Sequence, residues 1–94
     1  MENNIKMNIS RNFIVDEVAT FRIKINNLIE EGNKDFVFNF SECKFIDSTG
    51  LGALVSIYKK CVEKGGSIKL KTLKPEVEKL FKLTRLDKVF EIHP

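Results

Sequence analysis

Phe45-Ile46-Asp47-Ser48-Thr49-Gly50-Leu51-Gly52 is the stretch from which the rest of the chain can be read. Phe45 and Ile46 close an apolar run, and the polar pair Asp47-Ser48 makes a turn. A helix begins near Ser48, because Leu51, Leu54, Val55, Tyr58 and Val62 recur at helical spacing until Gly65-Gly66 ends the pattern. Gly50 and Gly52 both fall in its first turn, where glycine costs about 1 kcal/mol relative to alanine. Their placement implies that something approaches the backbone closely there. Ser48 is the expected N-cap, with its oxygen beside free N–H groups and the positive end of the helix dipole. Two readings follow. The hydroxyl caps the helix, as serine commonly does, or the position receives a phosphate held by the same groups. Capping accounts for Ser48 but leaves the two glycines unexplained.

Upstream, Ile5, Met7 and Ile9 alternate with Lys6, Asn8 and Ser10, the period-two pattern of a half-buried strand. Its pairing is expected to continue through Phe13, Ile14 and Val15. Asp16 is the expected N-cap of a helix carrying Val18, Phe21, Ile25, Leu28 and Ile29 on one stripe, and Gly32 suits its left-handed C-terminal position. Phe36 to Phe40 reads as a buried central strand. Downstream, Ile68, Leu70 and Leu73 mark a strand over Ser67 to Leu73, and Pro75 suits the first position of a helix. Val77, Leu80, Phe81 and Thr84 are that helix's expected inner face, and Val89 to Ile92 the last strand. Alternation of this kind predicts right-handed crossovers and a mostly parallel central sheet. Helices on one face or on both remain open.

Composition limits the function. The 94 residues make one domain, 1–94, with 43% hydrophobic and 31% charged residues. The net charge of +3 comes from lysines spread among acidic residues, so no nucleic-acid partner is expected, and Lys69, Lys71 and Lys74 read as a solvated rim. Cys43 and Cys61 lack zinc or redox spacing and read as buried thiols. No apolar run reaches the ~18 residues of a membrane span, and no secretory leader is expected, which makes the cytoplasm the expected compartment. His93 is the only histidine, and neither a nucleophile relay nor a phosphate-loop motif can be assembled. No catalytic residue, metal or cofactor is expected, and the chain reads as a non-enzyme.

KFIDSTGLGALV, Lys44 to Val55, resembles the signature of STAS domains, above all of bacterial anti-sigma factor antagonists. GGSIKL and LKPEVEKLFKLTRLDKVFEI extend the likeness, which runs from about Ile5 to Ile92. The resemblance implies a STAS-like α/β domain with alternating helices, here trimmed at both ends. It implies phosphorylation of Ser48 by a serine kinase of the GHKL ATPase type that doubles as an anti-sigma factor, and resetting by a PP2C-like phosphatase. Asp47, Thr49, Gly50, Leu51 and Gly52 would join Ser48 in the surface on which the kinase docks. Ala53 and Ile57, off the main apolar stripe, are either further members of that surface or buried under a neighbouring helix.

The chain also departs from the family's pattern. Arg11-Asn12-Phe13-Ile14 stands where a G-E-[IL]-D motif is usual, which puts the partner's identity in question. Arg85 replaces the glycine of L-T-G-L, so the third helix is expected to end differently. There is room for little more than one strand before the first helix, which would leave the strand of Ile5, Met7 and Ile9 at an exposed edge and favour a homodimer. Two other functions use the same helix end. One is a STAS subunit docking a non-kinase partner, such as a lipid-transport ABC ATPase. The other is a module holding a nucleotide or other anion.

Overall fold

The computed structural model describes residues 4–94. In chain order the elements are β1 (Ile5–Asn8), β2 (Asn12–Phe13), α1 (Val15–Glu30), β3 (Asp35–Asn39), β4 (Phe45–Ile46), α2 (Ser48–Glu63), β5 (Ser67–Lys71), α3 (Pro75–Leu83), a 3-10 turn (Leu86–Lys88) and β6 (Glu91–His93). β1, β3, β5 and β6 form one sheet in that order, every pair parallel. β1 and β6 are its two edges. β2 and β4 make a separate parallel pair beside it.

Register decides which face is covered. Ile5, Phe36 and Ile68 stand in one row, and Met7, Phe38, Leu70 and Ile92 in the next. These residues belong to one cluster with Val18, Phe21 and Ile25 of α1, Leu54 and Ile57 of α2, and Val77 and Phe81 of α3. All three helices therefore pack on one face. The opposite face carries Lys6, Val37, Lys69 and Glu91 in one row, and Asn8, Asn39, Lys71 and His93 in another. One-sided covering explains why β1 alternates cleanly while β3, flanked on both sides, is buried through Phe36, Val37 and Phe38.

Aromatic rings bind the layers together. Phe13, Phe21 and Phe38 meet edge to face at 5.1 and 5.2 Å, and Phe40, Phe81 and Phe90 at 6.0 Å. Such edge-to-face pairs contribute about 0.5–1.5 kcal/mol beyond their buried area. Seven of the eight phenylalanines lie in this core; the exception is Phe45.

Several expected boundaries move. α1 begins at Val15 with Ile14 as its N-cap and no side-chain cap, so Asp16 is not the cap. Asp16 and Glu17 sit in the first turn, where their charge favours the helix dipole. β5 stops at Lys71, because Thr72 takes a left-handed conformation (φ 59°) and Leu73 lies beyond it. The last strand is Glu91–His93, not Val89–Ile92, since the 3-10 turn uses Val89 to close on Leu86. Gly32 does take the left-handed conformation (φ 104°), and Pro75 does open α3. Arg85 is left-handed too (φ 62°), so the conformation that favours glycine is kept without one. Thr84 closes that helix end by donating its hydroxyl to the Leu80 carbonyl at 2.9 Å.

Candidate functional site

The first turn of α2 is held against the β2–β4 pair. Asn12 pairs with Phe45 and Phe13 with Ile46, and the chain passes directly from Ile46 through Asp47 into the helix. Asp47, not Ser48, is the N-cap: its backbone is extended and its Oδ1 accepts a hydrogen bond from the Gly50 N–H at 2.9 Å. Ser48 is the first helical residue. The expectation that Ser48 caps is corrected here. Aspartate and serine cap about equally well, and the one placed three residues before a close-packed glycine wins.

The consequence falls on the Ser48 hydroxyl. It is exposed, and no hydrogen bond within the described residues engages it. Asp47 takes the Gly50 N–H, and the Leu51 N–H reaches the Asp47 carbonyl at 3.0 Å. Helical geometry leaves the N–H groups of Ser48 and Thr49 without an intrahelical partner. A free hydroxyl therefore stands at the positive end of a sixteen-residue helix.

The two glycines serve different ends. A Cβ on Gly50 would lie 2.7 Å from the Phe13 carbonyl oxygen and 2.9 Å from Ile46 Cγ1, so only glycine lets α2 sit this close to β2 and β4. A Cβ on Gly52 would meet nothing within 4 Å. Gly52 is exposed, and nothing among the described residues requires it.

The other candidates separate by burial. Thr49 is exposed, while Gly50 and Leu51 turn inward. Ala53 and Ile57 are 0% and 2% exposed and belong to the core, so they are removed from the candidate docking surface. The buried face of α2 is Gly50, Leu51, Ala53, Leu54, Ile57 and Cys61, rotated from the expected stripe; Val62 is exposed. Small residues at 50, 53 and 61 allow close packing there, and a search for large apolar residues undercounts them.

Sequence reasoning missed the apolar flank of this turn. Phe45, three residues before Ser48, is 53% exposed. Lys44 stands over the Phe45 ring at 5.9 Å. The available signal was Phe45 itself, an aromatic residue one position before the apolar stop at Ile46.

Little in the described residues offers chemistry of its own. No group of three His, Cys, Asp or Glu side chains is arranged to hold a metal ion. His93 pairs with Glu91 on β6. Cys43 and Cys61 are free and buried, and burial pushes each thiol up to about 11. Neither is a ready nucleophile at neutral pH. No described helix is long and apolar enough to cross a membrane.

A family model for the STAS domain matches residues 2–94. The anti-sigma-B factor antagonist of Bacillus subtilis (strain 168) is 34% identical over 91 residues, which is 97% of this chain and 83% of that protein. Among solved structures, a Thermotoga maritima protein described as an anti-sigma factor antagonist superposes with a TM-score of 0.82 at 24% identity, over all of this chain and 75% of that one. The STAS domain of a SulP transporter from Vibrio cholerae does so with a TM-score of 0.78 at 14% identity, over 100% and 75% of the two chains. At such identities these two structures speak for the fold alone.

Proposed function

The chain belongs to the STAS domain family, and from that premise we propose that it is an anti-sigma factor antagonist switched off by phosphorylation of Ser48. The supporting observation is the division of labour at the start of α2. Asp47 caps the helix, so the exposed Ser48 hydroxyl has no structural task to lose. A residue free of internal duty can be modified without unfolding the domain.

The unmodified surface is Asp47, Ser48, Thr49 and Gly52, with exposed Phe45 just before them in the chain. Gly52 lets a partner approach the helix backbone, and the apolar flank supplies area to bury. The partner in this reading is a serine kinase of the GHKL ATPase type that also holds a sigma factor. Binding the kinase frees the sigma factor.

Phosphorylation adds about −1.5 to −2 charge at pH 7. The helix N-terminus offsets part of that charge within the monomer. Inside an interface the dianion must be desolvated beside Asp47, which costs far more than it does in water. The modified protein stays folded and releases its partner. A PP2C-like phosphatase restores binding.

Calorimetric titration of a cognate GHKL-type kinase tests this. Ser48→Ala is expected to bind like the wild type, and Ser48→Asp to lose at least about tenfold in affinity, or roughly 1.4 kcal/mol. Equal binding by Ser48→Asp and wild type overturns the electrostatic block.

A further inference from the structure

Three loops meet at the carboxyl ends of β1, β3 and β5, and their backbones are tied to one another. The Ile9 N–H donates to the Asn39 carbonyl at 2.9 Å, and the Phe40 N–H to the Lys71 carbonyl at 2.8 Å. The Lys44 and Phe45 N–H groups both reach the Arg11 carbonyl, at 2.9 and 3.0 Å. On this frame Arg11, Ser41, Glu42, Lys44 and Lys74 line a crevice of about 360 Å³. In open α/β sheets the carboxyl ends of parallel strands are where ligands bind.

The crevice is electropositive. No carboxylate of the described residues lies within ion-pair distance of Arg11, Lys44 or Lys74, and Glu42 is the one carboxylate among the lining residues, with Glu76 and Glu78 following Lys74 in the first turn of α3. Lys74 acts inward as well. The Cys43 thiol is raised chiefly by burial, while a backbone hydrogen bond from Phe13 and the Lys74 charge pull it partly back. The chain reaches Lys74 through Thr72, whose left-handed conformation is costly for a β-branched residue. Strain of this kind, next to a cation cluster of three separate loops, marks the turn as more than a connection.

The geometry points to this crevice as a docking site for a carboxylate-rich segment of a protein partner. A guanidinium matches a planar carboxylate in a two-pronged hydrogen bond, and the flanking lysines add point charges. A phosphate cradle is less well served, because α3 opens on Pro75, which has no N–H to give. A nucleobase would find no aromatic ring to stack on among the lining residues. The remaining sheet lysines, Lys6, Lys69 and Lys71, are spread over the open face with Glu91 beside Lys69. They make an internal control of equal charge. This site stands on charge and shape and is independent of the Ser48 reading.

The test is a titration of the isotope-labelled full chain with a hexaglutamate peptide, followed by amide chemical shifts. Shifts are expected in loops 10–12, 41–45 and 72–75, strong at low salt and much reduced at about 0.15 M, where surface charges are screened. The Arg11→Gln/Lys44→Gln/Lys74→Gln variant is expected to weaken binding about tenfold. The Lys6→Gln/Lys69→Gln/Lys71→Gln variant, with the same change of charge, is expected to bind like the wild type. Shifts centred on the open sheet face, equal weakening by both triple variants, or no shifts at low salt overturn the proposal. The wild-type shift map decides even if the first triple variant fails to fold.

Discussion

The two sides of the first turn of α2 differ in everything but sequence position. On the inner side Gly50 lies against the Phe13 carbonyl, with no room for a methyl group. On the outer side Gly52 faces open space, beside an exposed serine whose hydroxyl is unengaged. The same residue type, two positions apart, is needed by the fold in one case and left unexplained by it in the other. An outward residue that costs helix stability and contributes nothing to packing invites explanation by something outside the molecule. Reading both glycines as partner contacts, as the sequence alone encourages, merges two separate causes.

Gly50→Ala is the harshest test of that distinction. The added methyl must displace backbone, and overpacking of this kind destabilises by about 1–3 kcal/mol. For a domain of this size each kcal/mol lowers the melting temperature by about 4–8 °C. Thermal unfolding that leaves Gly50→Ala as stable as wild type would break the inner half of the comparison.

Removing the cap has the next largest effect. Asp47→Ala is expected to cost about 0.5–2 kcal/mol, whereas Ser48→Ala is expected to stay within about 0.5 kcal/mol of wild type. Denaturant melts of the two variants side by side check which residue caps. A larger loss for Ser48→Ala would return the serine to a structural role.

The smallest effect is of opposite sign. Gly52→Ala is expected to gain up to about 1 kcal/mol in helix propensity while weakening kinase binding, because the methyl occupies the approach path. A variant that binds normally would show that Gly52 is not there for a partner.

The sequence carried the alternating order, the parallel sheet, the aromatic central strand and the identity of the decisive turn. Each rests on a periodicity or on a residue with one strong backbone preference, such as Gly32 and Pro75. β1 does lie at the sheet edge, but not because a strand is missing before the first helix: β2 follows β1 and pairs with β4 outside the sheet. β2 and β4 were not legible, because two-residue strands have no period to detect. The cap was misplaced by one residue because two good capping residues stand side by side. Ala53 and Ile57 stayed ambiguous because a helix packed on several neighbours buries more than one stripe, and small residues give little hydrophobic signal. Lys74 was grouped with Lys69 and Lys71 by proximity in sequence. The left-handed Thr72 separates them in space, sending Lys74 to the loop crevice and leaving the other two on the sheet.

The central claim is that Ser48 is the hydroxyl the molecule leaves free for modification. Site mapping by mass spectrometry, after incubation with ATP and a cognate GHKL-type serine kinase, tests it most directly. Ser48 and Thr49 are both exposed and adjacent, so the measurement distinguishes between real competitors. The account predicts one phosphate per chain, on Ser48, and none on a Ser48→Ala protein. Phosphate on Thr49 of the wild-type chain, or a protein that a binding kinase leaves unmodified, would contradict it.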